Sequence, residues 1–509
     1  MKKCLKLAGH DRVHLLEHVD IIRKEIGQQI TPKRKAELGQ FMTPSVIARF
    51  MASLFSPSSH QTARLLDPGA GVGSLSCAFL DRWAASGFSF GRVEVAAYEI
   101  DAKLRAHLSR TLAEYQSQLD LDVLALPGDF IEQAVRLILD GKQPFTHAIL
   151  NPPYKKIHSA GRHRLLLRQV GIETVNLYSA FAALTIKLMQ PGGEIVAIMP
   201  RSFCNGPYYR PFRQLILSET AIKHIHLFAA RNRAFRDDDV LQENIIILLE
   251  RSARQGNVIV STSSDDSFTD FKTSIYPFDR IVFPQDPESF IHIPLSFELN
   301  HFETSPAIHF TLADLGLEVS TGPVVDFRLR PHLRQMPGRG TVPLLYPSHF
   351  SAQLVHWPKP ESKKPNAILR NSETEKWLYP SGCYVVVRRF SSKEEKRRVI
   401  ASVVCPDAFN GSPMLGFENH LNVFHSSRQG ISEDLARGLA VFLNSTLLDE
   451  QFRRFSGHTQ VNATDLRLLK YPGRSVLSRL GVWSKKQGLL TQDRIDRKIE
   501  NVLCPKTTT

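Results

Sequence analysis

Short apolar runs alternate with amphipathic stretches between about residue 39 and residue 251. Near-continuous apolar runs separated by helical periodicity are typical of a parallel sheet that is covered by helices on both faces. The pattern therefore predicts a doubly wound α/β domain. The predicted strands are 63–68, 93–101, 147–153, 194–200, 224–228 and 244–250, and the predicted helices include 74–86, 103–118 and 178–190.

The hydrophobic pattern also divides the rest of the chain. In residues 1–38, apolar side chains at helical spacing predict an N-terminal helical segment. Residues 252–317 lose the alternation and are rich in Pro and Ser, which predicts a linker. Short strands and one helix return in 318–475, which predicts a second, α+β domain, and 476–509 would be a C-terminal tail.

Composition and charge narrow the class of protein. Apolar residues make up 42% of the 509 positions and charged residues 22%, as in ordinary globular proteins. The net charge of +14 favours a polyanionic partner, with nucleic acid first and an acidic membrane surface second. Six scattered cysteines without CxxC or zinc spacing predict neither a disulfide framework nor a structural metal. Without a signal peptide or a long apolar run, the sequence predicts a soluble cytoplasmic protein.

The first predicted strand of the α/β domain ends in a glycine-rich turn, LLDPGAGVGSL at 65–75. Asp67 closes the strand, and Gly69, Gly71 and Gly73 lead into a helix. Glycines at this place let the backbone approach a ligand and direct helix N–H groups at its negative end. A tight turn without a ligand is the alternative for this motif alone.

Acidic residues follow the next two predicted strands. Glu99, in YEID, has the chain position of a side chain that accepts both hydroxyls of a ribose. Asp129, in LPGDF, lies where it can meet the amino group of an adenine. Together with the glycine turn these acids favour a cofactor that carries a nucleoside. We assign Ile100 and Phe130, the residues that follow the two acids, to the same pocket.

The sharpest signal is Asn151-Pro152-Pro153-Tyr154, directly after a predicted strand. The two prolines fix φ and stiffen the chain, which leaves the Asn151 side-chain oxygen and the Pro152 carbonyl as two rigid acceptors. An aromatic ring follows at Tyr154. Two fixed acceptors beside a stacking ring suit the exocyclic amino group of a flat base or an amide. Accepting both N–H bonds frees the nitrogen lone pair for attack.

The motifs DPGAGVG, YEID, GDF and NPPY, in this order, resemble those of S-adenosyl-L-methionine (AdoMet)-dependent amino-methyltransferases of the class I Rossmann-like fold. FMTPSVIARFM (41–51) is similar to the N-terminal cofactor motif of N6-adenine DNA methyltransferases, and this similarity assigns Thr43 to the methionine end. FAARNRAF (228–235) resembles their loop that carries an aromatic for the second face of the flipped base, which nominates Phe235. The motif order is the γ arrangement.

Two C-terminal stretches, 319–333 and 452–472, resemble the target-recognition region of type II adenine methylases, and the layout is most similar to the BsuBI/PstI methylase group. Short polar side chains there have reach to base edges or phosphates. They are Ser456, His458, Thr459, Gln460 and Asn462. The alternative is a polar loop that caps the helix at 464–468.

The resemblance implies a site-specific DNA methyltransferase that moves the methyl group of AdoMet to N6 of a flipped adenine in duplex DNA. It implies no metal and no obligatory subunit, a nucleoid-associated location, and a separate restriction endonuclease as functional partner. Three alternatives remain at this point: an NPPY enzyme acting on rRNA or a release factor, a fused restriction–modification enzyme, and a silent DNA-binding subunit. We expect His163, His224 and His226 to be structural or solvated.

Overall fold

The computed structural model describes residues 15–29, 42–57, 61–158, 160–228, 243–284, 286, 288–294, 307–351, 354–391, 395–455 and 460–503. The chain divides into two compact units, Met1–Leu295 and Ser296–Thr509. None of the helices in the described ranges combines the length and the apolar character that crossing a bilayer requires.

The first unit is built on a nine-stranded sheet with the strand order β3-β2-β1-β4-β5-β7-β6-β8-β9. Strands β1 to β5 run parallel to one another, whereas β7 is antiparallel to both β5 and β6. The strands are β1 (Thr62–Pro68), β2 (Arg92–Tyr98), β3 (Leu121–Leu126), β4 (Phe145–Leu150), β5 (Met189–Pro200), β6 (Thr220–Phe228), β7 (Asn244–Arg251), β8 (Val258–Ser263) and β9 (Lys272–Tyr276).

Helices cover this sheet on both faces, so the predicted α/β fold class is confirmed. Strand β7 shows why the apolar runs are continuous. Ile245 and Ile247 belong to the core on one face, and Ile246 and Leu248 belong to the core on the other. The helices are α1 (Leu15–Gln29), α2 (Ser45–Ser53), α3 (Ser74–Ala84), α4 (Ala102–Gln116), α5 (Phe130–Leu139), α6 (Arg162–Gln169), α7 (Leu177–Leu188) and α8 (Arg210–Glu219).

The expected linker at 252–317 differs from what the structure shows. Its residues 258–276 form β8 and β9, which extend the sheet beyond β6. The Ser261 hydroxyl makes hydrogen bonds with the rings of His224 and His226, at 2.7 and 2.8 Å. The serines that suggested a linker therefore lie inside a sheet, because histidines of the neighbouring strand satisfy them. His224 and His226 are structural, as expected.

The second unit contains short strands in several small sheets. Four strands pair in the order β11-β21-β18-β19 and five in the order β12-β16-β13-β20-β17, while β10 pairs with β22 and β14 with β15. These strands are β10 (Ile308–Phe310), β11 (Glu318–Thr321), β12 (Leu333–Arg334), β13 (Thr341–Leu345), β14 (Phe350–Ser351), β15 (Leu354–Val355), β16 (Ala367–Leu369), β17 (Leu378–Pro380), β18 (Tyr384–Arg388), β19 (Ala401–Val404), β20 (Met414–Phe417), β21 (Leu421–His425) and β22 (Tyr471–Pro472).

The expected C-terminal tail, 476–509, also differs, because its described part belongs to the core of this unit. The helices Glu433–Leu443 and Arg474–Lys485 meet backbone to backbone at Gly438 and Gly481. A Cβ on either glycine would lie 1.7 Å from a carbonyl oxygen of the other helix. Leu477 and Ile495 are buried in the same core. The helices are α9 (Glu433–Leu443), α10 (Thr446–Phe455), α11 (Ala463–Leu468), α12 (Arg474–Lys485) and α13 (Gln492–Leu503).

Candidate active site

A cavity of about 210 Å³ opens where β1, β2 and β4 end. Because these strands run parallel, their carboxyl ends meet at one edge of the sheet, which is where open α/β sheets bind ligands. The cavity is lined by nine of the residues that the sequence nominated. They are Thr43, Gly69, Gly71, Glu99, Ile100, Asp129, Phe130, Asn151 and Pro153.

The glycine-rich turn forms one wall of this cavity. The backbone N–H groups of Gly69 and Ala70 donate to the carbonyl of Tyr98, each at 2.9 Å, which ties the turn to the end of β2. Gly73 has a φ of 95° and does not line the cavity. Residues with a Cβ rarely adopt this left-handed conformation, so Gly73 serves the turn that leads into α3.

Glu99 is held on the cavity wall by the backbone. Its Oε2 accepts a hydrogen bond from the Gly71 N–H at 2.8 Å, and its Oε1 accepts one from the Asp101 N–H at 2.7 Å. Burial raises the pKa of this carboxyl, although the two N–H groups favour its ionised form. Because a carboxylate oxygen can accept more than one hydrogen bond, a ligand hydroxyl could share either oxygen with its backbone donor.

Asp129 lies across the same cavity and begins α5. Its Oδ1 accepts a hydrogen bond from the Ile131 N–H at 2.8 Å, and its Oδ2 lies 2.6 Å from Nε2 of His163. Burial alone would raise the pKa of Asp129, but the hydrogen bond and charge of His163 lower it overall. The carboxylate is therefore a fixed acceptor at the edge of the cavity.

The Asn151–Tyr154 segment leaves β4 beside this pocket. Nδ2 of Asn151 donates to Oγ1 of Thr43 at 3.0 Å. The Tyr154 hydroxyl donates to the Ile198 carbonyl at 3.5 Å, and burial raises the pKa of that hydroxyl, so it stays a neutral donor. Asn151 and Pro153 line the cavity itself, whereas Pro152 is buried and Tyr154 packs against Tyr178.

Asp67 lies behind the cavity rather than on its wall. The side chain is fully buried, and its Oδ2 accepts a hydrogen bond from the Ser76 hydroxyl at 2.6 Å. Burial raises the pKa of Asp67 to about 7. The structure therefore gives Asp67 a position that supports the turn, without direct exposure to the cavity.

Sequence reasoning missed several residues of the pocket. His163, which we expected to be structural or solvated, lines the cavity and contacts Asp129. Phe181, on α7, lines it as well and packs against Phe130 with ring centroids 5.0 Å apart. Nothing in the spacing of His163 marks it, because its partner lies 34 positions away in the chain. Within the described ranges, His, Cys, Asp and Glu side chains form no group suited to a metal ion.

The nominated residues outside this pocket fall into two groups. Phe235, Ser456, His458 and Thr459 lie outside the described residues. Gln460 forms an isolated backbone bridge with Phe390. Asn462 caps α11 through reciprocal hydrogen bonds with Asp465, which is the capping alternative that the sequence raised.

Comparison with known proteins reveals two relatives along nearly the whole chain. The type II methyltransferase M.BsuBI of Bacillus subtilis is 52% identical over 497 residues, which cover 96% of this chain and 98% of that protein. The type II methyltransferase M.PstI of Providencia stuartii is 42% identical over 471 residues, covering 90% and 92%. The family model of the Eco57I restriction-modification methylase matches residues 94–235.

A similar fold occurs in the cryo-EM structure of a DrdV–DNA complex. The TM-score is 0.51 at 12% sequence identity, and the match covers 92% of this chain and 59% of that one. At this identity the likeness concerns the fold alone.

Proposed function

This chain belongs to the type II DNA methyltransferases of restriction–modification systems, and from this membership we propose that it methylates N6 of an adenine within a short duplex sequence. The observation that carries the proposal is the Asn151 amide, which Thr43 orients at a cavity with two fixed carboxylates. The modified DNA would resist a separate restriction endonuclease, and the enzyme would act at the bacterial nucleoid in the cytoplasm.

The residues of the cavity fit AdoMet. The carboxylate of Glu99 suits the ribose hydroxyls, and that of Asp129 suits the adenine amino group. Backbone N–H groups already hold both carboxylates in place. Position 69 of the turn favours glycine, because its φ of 80° lies in a region that residues with a side chain rarely adopt. We assign Ile100 and Phe130 to the adenine ring, and Thr43 with Gly69–Gly71 to the methionine end.

Asn151 and Pro152 would act on the target amine. An aromatic amine is a poor nucleophile, because its lone pair is delocalised into the ring. When Asn151 Oδ1 and the Pro152 carbonyl each accept one N–H, the nitrogen is drawn toward tetrahedral geometry and its lone pair is directed at the methyl group. AdoMet, when bound, supplies a methyl group that is already activated on a positively charged sulfur. After it accepts the methyl group, the amine would release one proton to water, so the task of the chain's own residues is to position the amine.

Cysteine chemistry supports methylation of an amino group over methylation of a ring carbon. Methylation of a pyrimidine carbon needs a thiolate that first adds to the ring. Among the described residues, no cysteine lines the cavity. Cys77 and Cys204 are fully buried, and burial raises the pKa of both thiols, to about 12 for Cys204. Thiols in this state do not serve as nucleophiles.

The target adenine would reach this site by flipping out of the duplex. A base inside the stack cannot present its amino group to Asn151, so the enzyme must extrude it. We propose that Tyr154 stacks on one face of the base and that Phe235 stacks on the other. The hydrogen bond from the Tyr154 hydroxyl to Ile198 supports this role, because it fixes the plane of the ring before the base arrives.

The second unit would select the sequence. Residues 318–475 carry 22 Lys and Arg against 14 Asp and Glu, which favours a duplex partner. We propose that Ser456, His458, Thr459 and Gln460 contact base edges or phosphates. Asn462, the fifth candidate, already uses its side chain to cap α11.

Methyl transfer from labelled AdoMet by the purified chain tests the proposal. We expect incorporation into duplex DNA at one short sequence, with no ATP and no second polypeptide, and no incorporation into ribosomes or a release factor. Incorporation only after a second polypeptide is added would show that the chain is one subunit of a larger enzyme. Rates that do not fall as salt rises would contradict a DNA contact dominated by phosphates.

A further inference from the structure

His163 meets the cavity from α6, the helix that follows the Asn151–Tyr154 segment. Its Nε2 lies 2.6 Å from Oδ2 of Asp129, and both residues line the cavity. The side chains are 36% and 23% exposed, so the pair is partly shielded yet accessible to a ligand. None of the motifs that identify the family includes this histidine.

The two oxygens of Asp129 have different partners. Oδ1 accepts the Ile131 N–H at 2.8 Å and so caps α5. Oδ1 is thus tied to the backbone, whereas the position of Oδ2 is set by the His163 ring. Because a carboxylate oxygen can accept more than one hydrogen bond, Oδ2 can serve His163 and a ligand amine together.

We propose that His163 is a positioning residue for the adenine end of the cofactor. Its Nε2–H donates to Oδ2 of Asp129 and holds that oxygen where it accepts the exocyclic amino group of the adenine. The inference rests on the cofactor role of Asp129 in the proposed function. Without His163, Oδ1 would still accept the Ile131 N–H, but Oδ2 would lose the hydrogen bond from the imidazole. The carboxylate would then be less well oriented, and the cost of burying its charge would be less well compensated.

The charges around His163 favour its protonated form. Asp129 and Glu132 face it from α5, whereas Arg162, on its own helix, opposes it, and Lys155 lines the same cavity. The hydrogen bond to Asp129 raises the pKa of His163. The cationic partner of Asp129 is therefore retained to a higher pH than a free histidine would allow, and is lost as pH rises through the raised pKa.

Binding of S-adenosylhomocysteine to the full-length protein, measured by calorimetry, tests the proposal. We expect His163→Ala to weaken binding roughly 10-fold, the scale of one lost charge-assisted hydrogen bond. His163→Gln keeps a donor without a titrating proton, so it should retain affinity within about 3-fold near pH 8. The matched control is His158→Ala, which removes an exposed histidine five positions before His163 and should leave the affinity unchanged.

A double-mutant cycle separates positioning from general support of the fold. If His163 acts through Asp129, adding His163→Ala to Asp129→Ala should change the dissociation constant by less than about 2-fold. An equal loss in both backgrounds would overturn the proposal, even if His163→Ala also lowered the melting temperature. The pH dependence of binding is a second readout. Between pH 6 and 9, the affinity of the wild-type protein for S-adenosylhomocysteine should decline relative to that of His163→Gln. Because both proteins bind the same ligand, the comparison cancels the titration of the ligand itself.

The failure of this inference and the failure of the proposed function give different results. Wild-type protein that does not bind S-adenosylhomocysteine would contradict the proposed function and, with it, the role of His163. Wild-type protein that binds the ligand, together with a His163→Ala variant of equal affinity, would overturn only the inference about His163.

Discussion

Thr43 and Asn151 are joined by a hydrogen bond of 3.0 Å, from Asn151 Nδ2 to Thr43 Oγ1, although they lie 108 positions apart in the chain. Thr43 is 4% exposed and stands just before α2, which buries Ile47, Ala48 and Met51 in the core. Because the nitrogen of an amide group lies opposite its oxygen, anchoring Nδ2 at Thr43 directs Oδ1 away from it. In the proposed function, this contact would determine which atom of the Asn151 amide meets the substrate amine.

Removing the hydroxyl of Thr43, which accepts the hydrogen bond from Asn151, should impair turnover more than the binding of AdoMet. In Thr43→Val the Asn151 amide loses the acceptor that orients its Nδ2, so we expect the turnover number to fall roughly 10-fold, the scale of one lost hydrogen bond. Thr43→Ser keeps the hydroxyl and should restore most of the rate. If Thr43→Val changes only the affinity for AdoMet, Thr43 serves the cofactor and does not orient Asn151.

Removing the Asn151 side chain should have a larger effect on the chemical step. Asn151→Ala eliminates one of the two acceptors for the target amine, so we expect turnover to fall at least ~10²-fold, as when one preorganised transition-state partner is lost. The dissociation constant for S-adenosylhomocysteine should stay within about 2-fold, because the second acceptor and both carboxylates remain. Near-normal turnover, measured under single-turnover conditions, would contradict the assigned role.

Ionisation of Asp67 should make the folded state less stable as pH rises. Burial raises the pKa of its carboxyl from 3.8 to about 7, despite the hydrogen bond from Ser76. Between these values the folded chain binds a proton that the unfolded chain has released, so this group lowers the free energy of unfolding as pH increases from about 4 to 7. Above about pH 7 this loss is complete.

Urea unfolding at pH 5 and pH 8 measures this contribution. Asp67→Asn keeps an acceptor for Ser76 and removes the titration, so we expect its stability relative to wild type to be higher at pH 8 than at pH 5. Asp140→Asn, at a side chain that is 60% exposed, is the matched control and should show no such difference. If Asp67→Asn and wild type differ in their free energy of unfolding by the same amount at pH 5 and at pH 8, Asp67 keeps an ordinary pKa.

Phe235 is nominated by sequence alone and lies outside the described residues. If its ring stacks on the flipped base, Phe235→Ala should forfeit roughly 1–3 kcal/mol of stacking. Duplex DNA with 2-aminopurine at the target position should then show a smaller fluorescence increase on binding. Unchanged base capture combined with a lower melting temperature would identify Phe235 as a core residue.

The sequence predicted much of the cavity lining because the motifs that supply it are local. Each functional group at the ends of β1, β2 and β4 follows its own apolar run, so parallel pairing alone brings Gly71, Glu99 and Asn151 together. His163 was missed for the opposite reason. Its partner Asp129 is 34 positions away on a different helix, and the two meet only after α5 and α6 have packed.

The sequence did not predict strand β8, because its polar residues suggested an exposed linker although they are buried. The residues VIVSTS (258–263) have the period of a strand, with Val258 and Val260 buried, but their serines suggested a linker. Ser261 and Ser263 are buried as well, since both contact His226 on β6, 35 and 37 positions away in the chain. A polar run can thus lie inside a sheet when distant residues satisfy its hydrogen bonds.

The nature of the methylated nucleoside tests the central claim most directly. Duplex DNA is incubated with the purified chain and AdoMet, digested to nucleosides and analysed by mass spectrometry, with Asn151→Ala as the control. We expect N6-methyldeoxyadenosine as the single product, and its loss in the control. N4-methyldeoxycytidine or 5-methyldeoxycytidine in its place would contradict the proposed adenine N6 specificity.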